Sequence, residues 1–205
     1  VLFRSVVLVE LGLRGWNALR HPSPYTLDDE LGWRLVPGIA RTLPAPDGRS
    51  VPFAVDGDGH RQLPPGPVTP TARVLVLGDS FVQGSEVAPE ELFVSDCARR
   101  LDGVAFTAAG VGGWSTLQAL RSLSREFARA RPDHVLLVVY DNDFADNLMP
   151  YFSGLGARPY LRVQGEAVVE CEAEPQTFAP FLLPLPLASF WYEQDRKSTR
   201  LNSSH

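Results

Sequence analysis

The sequence predicts an α/β fold organised around a parallel sheet, and three observations carry that prediction. Val74-Leu75-Val76-Leu77 is an unbroken aliphatic run bounded by turn formers, the pattern of a strand buried on both faces. Val104 to Thr107 reads as a short second strand and His134 to Tyr140 as a third, buried one, each following at an interval filled by helical periodicity. Each run ends in a polar or glycine-rich turn, and in a parallel sheet those turns share the edge where ligands bind.

Both ends of the chain read as foreign to it. Val1 to Ser5 can be encoded by GTG CTC TTC CGA TCT, whose reverse complement, read one base later, begins GAT CGG AAG AGC AC and yields Asp195 to Thr199. One oligonucleotide in two orientations, resembling a sequencing-library adapter, accounts for both. Residues 1–5 and 195–205 are therefore expected to be adapter-derived scars and 6–194 an internal fragment of metagenomic type, cut short at both ends. Arg4, Arg196, Lys197 and Arg200 lie in those ends, as does Asp195, so the interior carries 15 basic and 23 acidic residues, a net charge of −8. An acidic chain without a basic patch excludes nucleic acid as the expected partner.

Val6 to Leu13 (VVLVELGL) is too short to cross a bilayer, which takes roughly 20 residues. It reads either as the tail of a signal anchor, which would make the whole protein a membrane-anchored or extracytoplasmic bacterial one, or as an amphipathic helix packed on the domain. From His21 to Pro70 the chain is rich in proline and glycine, and Trp33 to Val36 and Val51 to Val55 alternate as edge strands of a small antiparallel appendage. Asp56-Gly57-Asp58-Gly59 lacks the loop glutamate of a calcium site and reads as a tight turn. Leu63 to Thr71 is a stiff linker, so residues 6–70 form the anchor remnant and β appendage and residues 71–194 the main domain.

Within that domain Pro89-Glu90-Glu91 opens a helix whose Phe93, Cys97 and Leu101 recur at helical spacing and are expected to face the sheet. Leu117, Leu120, Leu123 and Phe127 line the next helix, with Arg121, Arg125, Glu126 and Arg129 expected on its outer face. Cys97 reads as a small buried thiol, and it and Cys171 show no metal-type spacing. Tyr160 to Val163 and Ala167 to Glu170, around Gln164-Gly165-Glu166, read as a hairpin. Phe178 to Trp191 is apolar but broken by proline, more a buried connection than the lining of an acyl or glycan pocket.

The three strand-end turns, Gly78-Asp79-Ser80-Phe81, Ala108-Ala109-Gly110-Val111-Gly112-Gly113 and Tyr140-Asp141-Asn142-Asp143-Phe144-Ala145-Asp146-Asn147, resemble in order and spacing blocks I, II and III of the SGNH (GDSL-type) hydrolases. Glu30 to Gly38 (ELGWRLVPG) is similar to the region before the domain in some bacterial members. The resemblance implies a three-layer α/β/α sandwich of flavodoxin-like fold, here incomplete at its carboxyl end. It implies Ser80 as nucleophile, with the backbone N–H groups of Ser80 and Gly113 and the side-chain amide of Asn142 as oxyanion hole. Those residue types suit acyl transfer: a hydroxyl to attack, and neutral donors aimed where negative charge develops. Gly78, Asp79 and Asp143 are assigned to the turns and helix caps that support them. The expected activity is hydrolysis of a carboxylic ester, with a carbohydrate O-acetyl group as the substrate suggested by family analogy and no metal or organic cofactor. Acyl transfer to a glycan by the same residues, and a non-catalytic binding or assembly module, remain the alternatives.

The base is missing. The family draws its catalytic Asp and His from an Asp-x-x-His motif near the domain's carboxyl end, and 6–194 contains none. His134 opens the third strand, about 20 Å from the catalytic edge at roughly 3.3 Å per residue; His60 and His21 lie in the amino-terminal region and His205 in the scar. The fragment is accordingly expected to be inactive. Two departures touch the turns: Tyr140-Asp141 stands where block III carries glycine, with Asp141 expected to point outward, and Ala108 replaces the asparagine that opens block II.

Overall fold

The computed structural model describes residues 23–174. Its centre is a three-stranded parallel sheet in which β5 (Ala72–Gly78) lies between β6 (Val104–Gly110) and β7 (His134–Leu137). The register sets Gly78 opposite Gly110 and Leu77 opposite Leu137, so the three carboxyl ends stand side by side. After β5 comes the single-turn helix α1 (Ser80–Gln83); a 3₁₀ turn (Pro89–Glu91) and α2 (Phe93–Arg100) lead to β6; α3 (Thr116–Ala130) leads to β7; and α4 (Asp141–Asp146) follows. The chain is thus an α/β protein, as the buried runs predict.

Side chains alternate across a strand, and both faces of β5 are covered. Leu75 and Leu77 join a core with Ala109, Val111, Trp114 and Ala119, while Val76 packs with Val82 of α1, Val94 of α2 and Ala108. Two antiparallel hairpins precede the sheet: β1 (Tyr25–Asp28) with β2 (Gly32–Leu35), and β3 (Ala40–Pro44) with β4 (Ser50–Ala54). Read from sequence as an appendage, they place Leu31, Trp33, Leu35, Phe53 and Val55 in the same core as Leu75 and Leu77. Burying a ring such as Phe53 stabilises by about 2–3 kcal/mol, so this segment contributes substantially to the domain's stability. Arg61 extends the attachment by a bridge to Ala108 on the outer edge of β6, its N–H donating to the Ala108 carbonyl at 3.1 Å.

Beyond α4 two small hairpins follow, β8 (Tyr151–Phe152) with β9 (Gly156–Ala157) and β10 (Tyr160–Gln164) with β11 (Ala167–Cys171). The second turns through Gly165-Glu166, with Gly165 at φ +63°, one residue fewer than the three-residue turn read from the sequence because Gln164 pairs with Ala167. The stretches Val6 to Leu13 and Phe178 to Trp191, the two end segments, His21 and His205 lie outside the described residues. No helix among the described residues is long and apolar enough to cross a membrane.

Three expectations need correction. Phe93 and Leu101 do not face the sheet; Leu92, Val94 and Ser95 are buried instead, because the 3₁₀ turn resets the helical phase before α2 begins. In α3 the inward face is Gln118, Ala119, Ser122 and Glu126, while Leu120 and Phe127 are half exposed. Those polar side chains are inside because partners meet them there: Gln118 Nε2 donates to the Leu31 carbonyl at 2.7 Å, and Glu126 meets His60. The third strand is short and exposed, with Leu136 45% accessible, because among the described residues it pairs only with β5. Cys97 is half buried, and it and Cys171 are free thiols.

Candidate active site

The end of β5 and the start of α1 are pressed together, and glycine makes this possible. A Cβ on Gly110 would lie 2.3 Å from Val82 Cβ and 2.8 Å from the Asp79 carbonyl oxygen, and one on Gly78 2.7 Å from Val82 Cγ2. Gly78 therefore supplies space for α1 to approach. Asp79, buried, caps the helix by accepting the Phe81 N–H at 2.9 Å. Ser80 is left exposed at the sheet edge, its Oγ 3.4 Å from Asp79 Oδ2. The Phe81 ring packs on Tyr140 with centroids 4.5 Å apart.

The turn after β6 is held from beneath. The Gly112 N–H donates to Gln83 Oε1 at 2.6 Å, and the Gly112 carbonyl accepts from Trp33 Nε1 at 3.0 Å. That carbonyl and the Gly113 N–H belong to one trans peptide, so they point in opposite directions. With the carbonyl directed at Trp33, the Gly113 N–H is turned away from the core. Neither it nor the Ser80 N–H has a hydrogen-bond acceptor among the described residues. Gly113 sits at φ +77°, where L side chains are strained, and its missing Cβ would touch the Phe152 ring at 3.1 Å.

The third turn presents Asn142, exposed, whose Nδ2 donates to Asp146 Oδ2 at 2.8 Å. Asp143 is buried and accepts the Tyr140 N–H at 2.9 Å, which closes the first turn of α4. Its other oxygen has no partner among the described residues, and burial, with the Asp79 and Asp146 carboxylates nearby, pushes this carboxyl above the ordinary carboxylate range. Asp141 lies exposed in the first turn, as expected.

Ser80, Gly113 and Asn142, far apart in sequence, thus line one cleft of about 780 Å³, together with Tyr25, Asp146 and Phe152. No protein-family model and no curated protein matches this chain. What the cleft can do is therefore read from its own groups: an exposed hydroxyl beside two unengaged backbone N–H groups and a carboxamide.

The histidines are elsewhere. His60 lines a separate small cavity with Leu35, Trp114 and Arg129, and His134 pairs with Val74, six residues before Ser80 along the strand, roughly 20 Å away. The Asp56 to Gly59 segment is the expected turn: Asp56 Oδ1 accepts the N–H groups of Asp58 and His60 at 2.9 Å each. Asp56, Asp58 and His60 bring ligand atoms within 4.8 Å of one another, but His60 Nε2 is engaged by Glu126 at 2.5 Å and Asp56 closes its own turn.

The sequence reading missed Gln83, Trp33 and Arg158 as supports of the site. Gln83 carried a weak signal in standing three residues after Ser80 within the same short helix. Arg158 carried none, because nothing local distinguishes a buried arginine from a solvated one.

Proposed function

We propose that this chain carries the nucleophile and oxyanion hole of a serine ester hydrolase of the SGNH type, on a flavodoxin-like α/β/α sandwich. The observation that supports it is the meeting of Ser80, Gly113 and Asn142 around one cleft at the carboxyl edge of a parallel sheet. Ser80 Oγ attacks the ester carbonyl carbon, and the carbonyl oxygen takes up the electron pair as an oxyanion. The N–H groups of Ser80 and Gly113 and the free N–H of the Asn142 amide receive that charge, donors that are worth more in the transition state than in the ground state. The C–O bond to the alcohol then breaks, the alcohol leaves with the proton taken from Ser80, and water releases the acid from the acyl-serine. This reading requires a histidine as proton carrier, and neither His60 nor His134 lines the cleft. Tyr25, Gln83 and Ser85 give one wall a polar, hydroxyl-rich character, which suits an ester on a carbohydrate.

The test is turnover of p-nitrophenyl acetate by the protein expressed from the complete reading frame, compared with Ser80→Ala. Loss of at least about 10³-fold is expected, as for removal of a catalytic nucleophile. Equal rates would reject the enzyme reading in favour of a binding module; acyl transfer to an added glycan in place of hydrolysis would redirect it to a transferase.

A further inference from the structure

Arg158 is fully buried and lies outside all three turns that carry the proposed chemistry. Its guanidinium engages three acceptors: Nη1 donates to the Gly113 carbonyl at 2.8 Å, Nη2 to Asp146 Oδ1 at 3.0 Å and Nε to the Met149 carbonyl at 2.9 Å. The remaining Asp146 oxygen accepts from Asn142 Nδ2 at 2.8 Å. One rigid fork therefore reaches both arms of the oxyanion hole, Gly113 directly and Asn142 through one carboxylate.

We propose that Arg158 is the positioning residue that spaces these two donors, a role that rests on the hydrolase reading above. The geometry is selective in two ways. A carboxylate only accepts hydrogen bonds, so Asp146 forces the NH₂ side of the Asn142 amide toward itself, and the second N–H is left for the cleft. Anchoring the Gly113 carbonyl fixes the peptide after Gly113 just as Trp33 fixes the one before it, so the Gly113 N–H is clamped from both sides. Phe152 completes the seat: Arg158 stands 5.4 Å above its ring centroid, and the same ring fills the space a side chain on residue 113 would need. Lysine could supply the charge but not three donors in a fixed plane. Arg158 touches no substrate in this scheme, so its loss is felt in the transition state more than in binding.

The experiment uses the protein from the complete reading frame, with Ser80→Ala as baseline. In Arg158→Met, kcat for p-nitrophenyl acetate is expected to fall about 100-fold, and in Arg158→Lys about tenfold, with KM within about threefold of wild type and cooperative melting retained. In parallel, the side-chain amide resonances of Asn142, assigned by their loss in Asn142→Asp, are expected to shift and to exchange faster in both Arg158 variants. A shifted amide in a protein without Ser80-dependent turnover removes the hydrolase reading and leaves the positioning role standing. Unmoved Asn142 resonances overturn the proposal, as does kcat of the variants within about twofold of wild type where turnover depends on Ser80. Should Arg158→Met not fold, Arg158→Lys carries the same two measurements.

Discussion

The contact between His60 and Glu126 joins the amino-terminal segment to α3, and its strength is set by pH. His60 Nε2 lies 2.5 Å from Glu126 Oε2 with both side chains buried, and Nδ1 lies 3.6 Å from Asp56 Oδ2. Asp58, Arg34, Arg125 and Arg129 also line this cavity, and Arg129 stands 3.7 Å from Glu126. Burial alone would lower the imidazole pKa, but the Asp56 and Glu126 carboxylates outweigh it and raise it from 6.5 to about 9. That difference corresponds to about 3 kcal/mol, reduced to about 2–3 kcal/mol because Asp56 is partly exposed and screened. The folded-state value is the raised one, so the stabilisation is complete below about pH 6.5 and is lost as pH climbs through 9. Glu126→Gln removes the main buried partner. Urea unfolding of wild type and variant should show their widest gap near pH 6, narrowing by about 1–2 kcal/mol near pH 9.5, because Asp56 keeps its share of the shift in the variant. Groups that titrate in both proteins cancel in this difference. A gap that stays constant across that interval would refute the reasoning, and so would a His60 ring titrating near its free value.

Two further changes probe the site's supports. Gln83→Leu leaves the Gly112 N–H without its acceptor in a buried turn and should cost about 1–3 kcal/mol in urea unfolding; a loss under about 0.5 kcal/mol would show that Trp33 alone holds the turn. Asp143→Asn keeps an oxygen for the Tyr140 N–H and puts an amide where the unpartnered carboxylate oxygen stands. Because the Asp143 pKa is raised on folding, the wild type gives up stability as pH rises through it. The asparagine variant should therefore melt higher than wild type at pH 7 and lose that advantage at acidic pH; a variant less stable at pH 7 than at low pH, relative to wild type, contradicts this.

The sequence by itself determined what short stretches decide. The unbroken aliphatic run from Val74 to Leu77 marked a strand of the parallel sheet, and pairing on both sides buries it, whereas Val135, Leu136 and Val139 of a similar run stay exposed where only one neighbour pairs. The turns at Asp56 to Gly59 and at Gly165 follow from side-chain and backbone freedom within a few residues. The three strand-end turns could be placed on one edge because parallel pairing leaves no other arrangement.

Only the tertiary structure decided which helix faces turn inward and what holds the cleft in shape. Hydrophobic spacing puts Leu120 and Phe127 inside α3, since burying glutamine or glutamate ordinarily costs free energy. Gln118 and Glu126 escape that cost because an acceptor 87 residues away and a histidine 66 residues away satisfy them. Arg158 is buried for the same reason, with its three acceptors supplied by Gly113, Asp146 and Met149. A polar side chain's place depends on whether a partner arrives, and that partner's position along the chain carries no local mark.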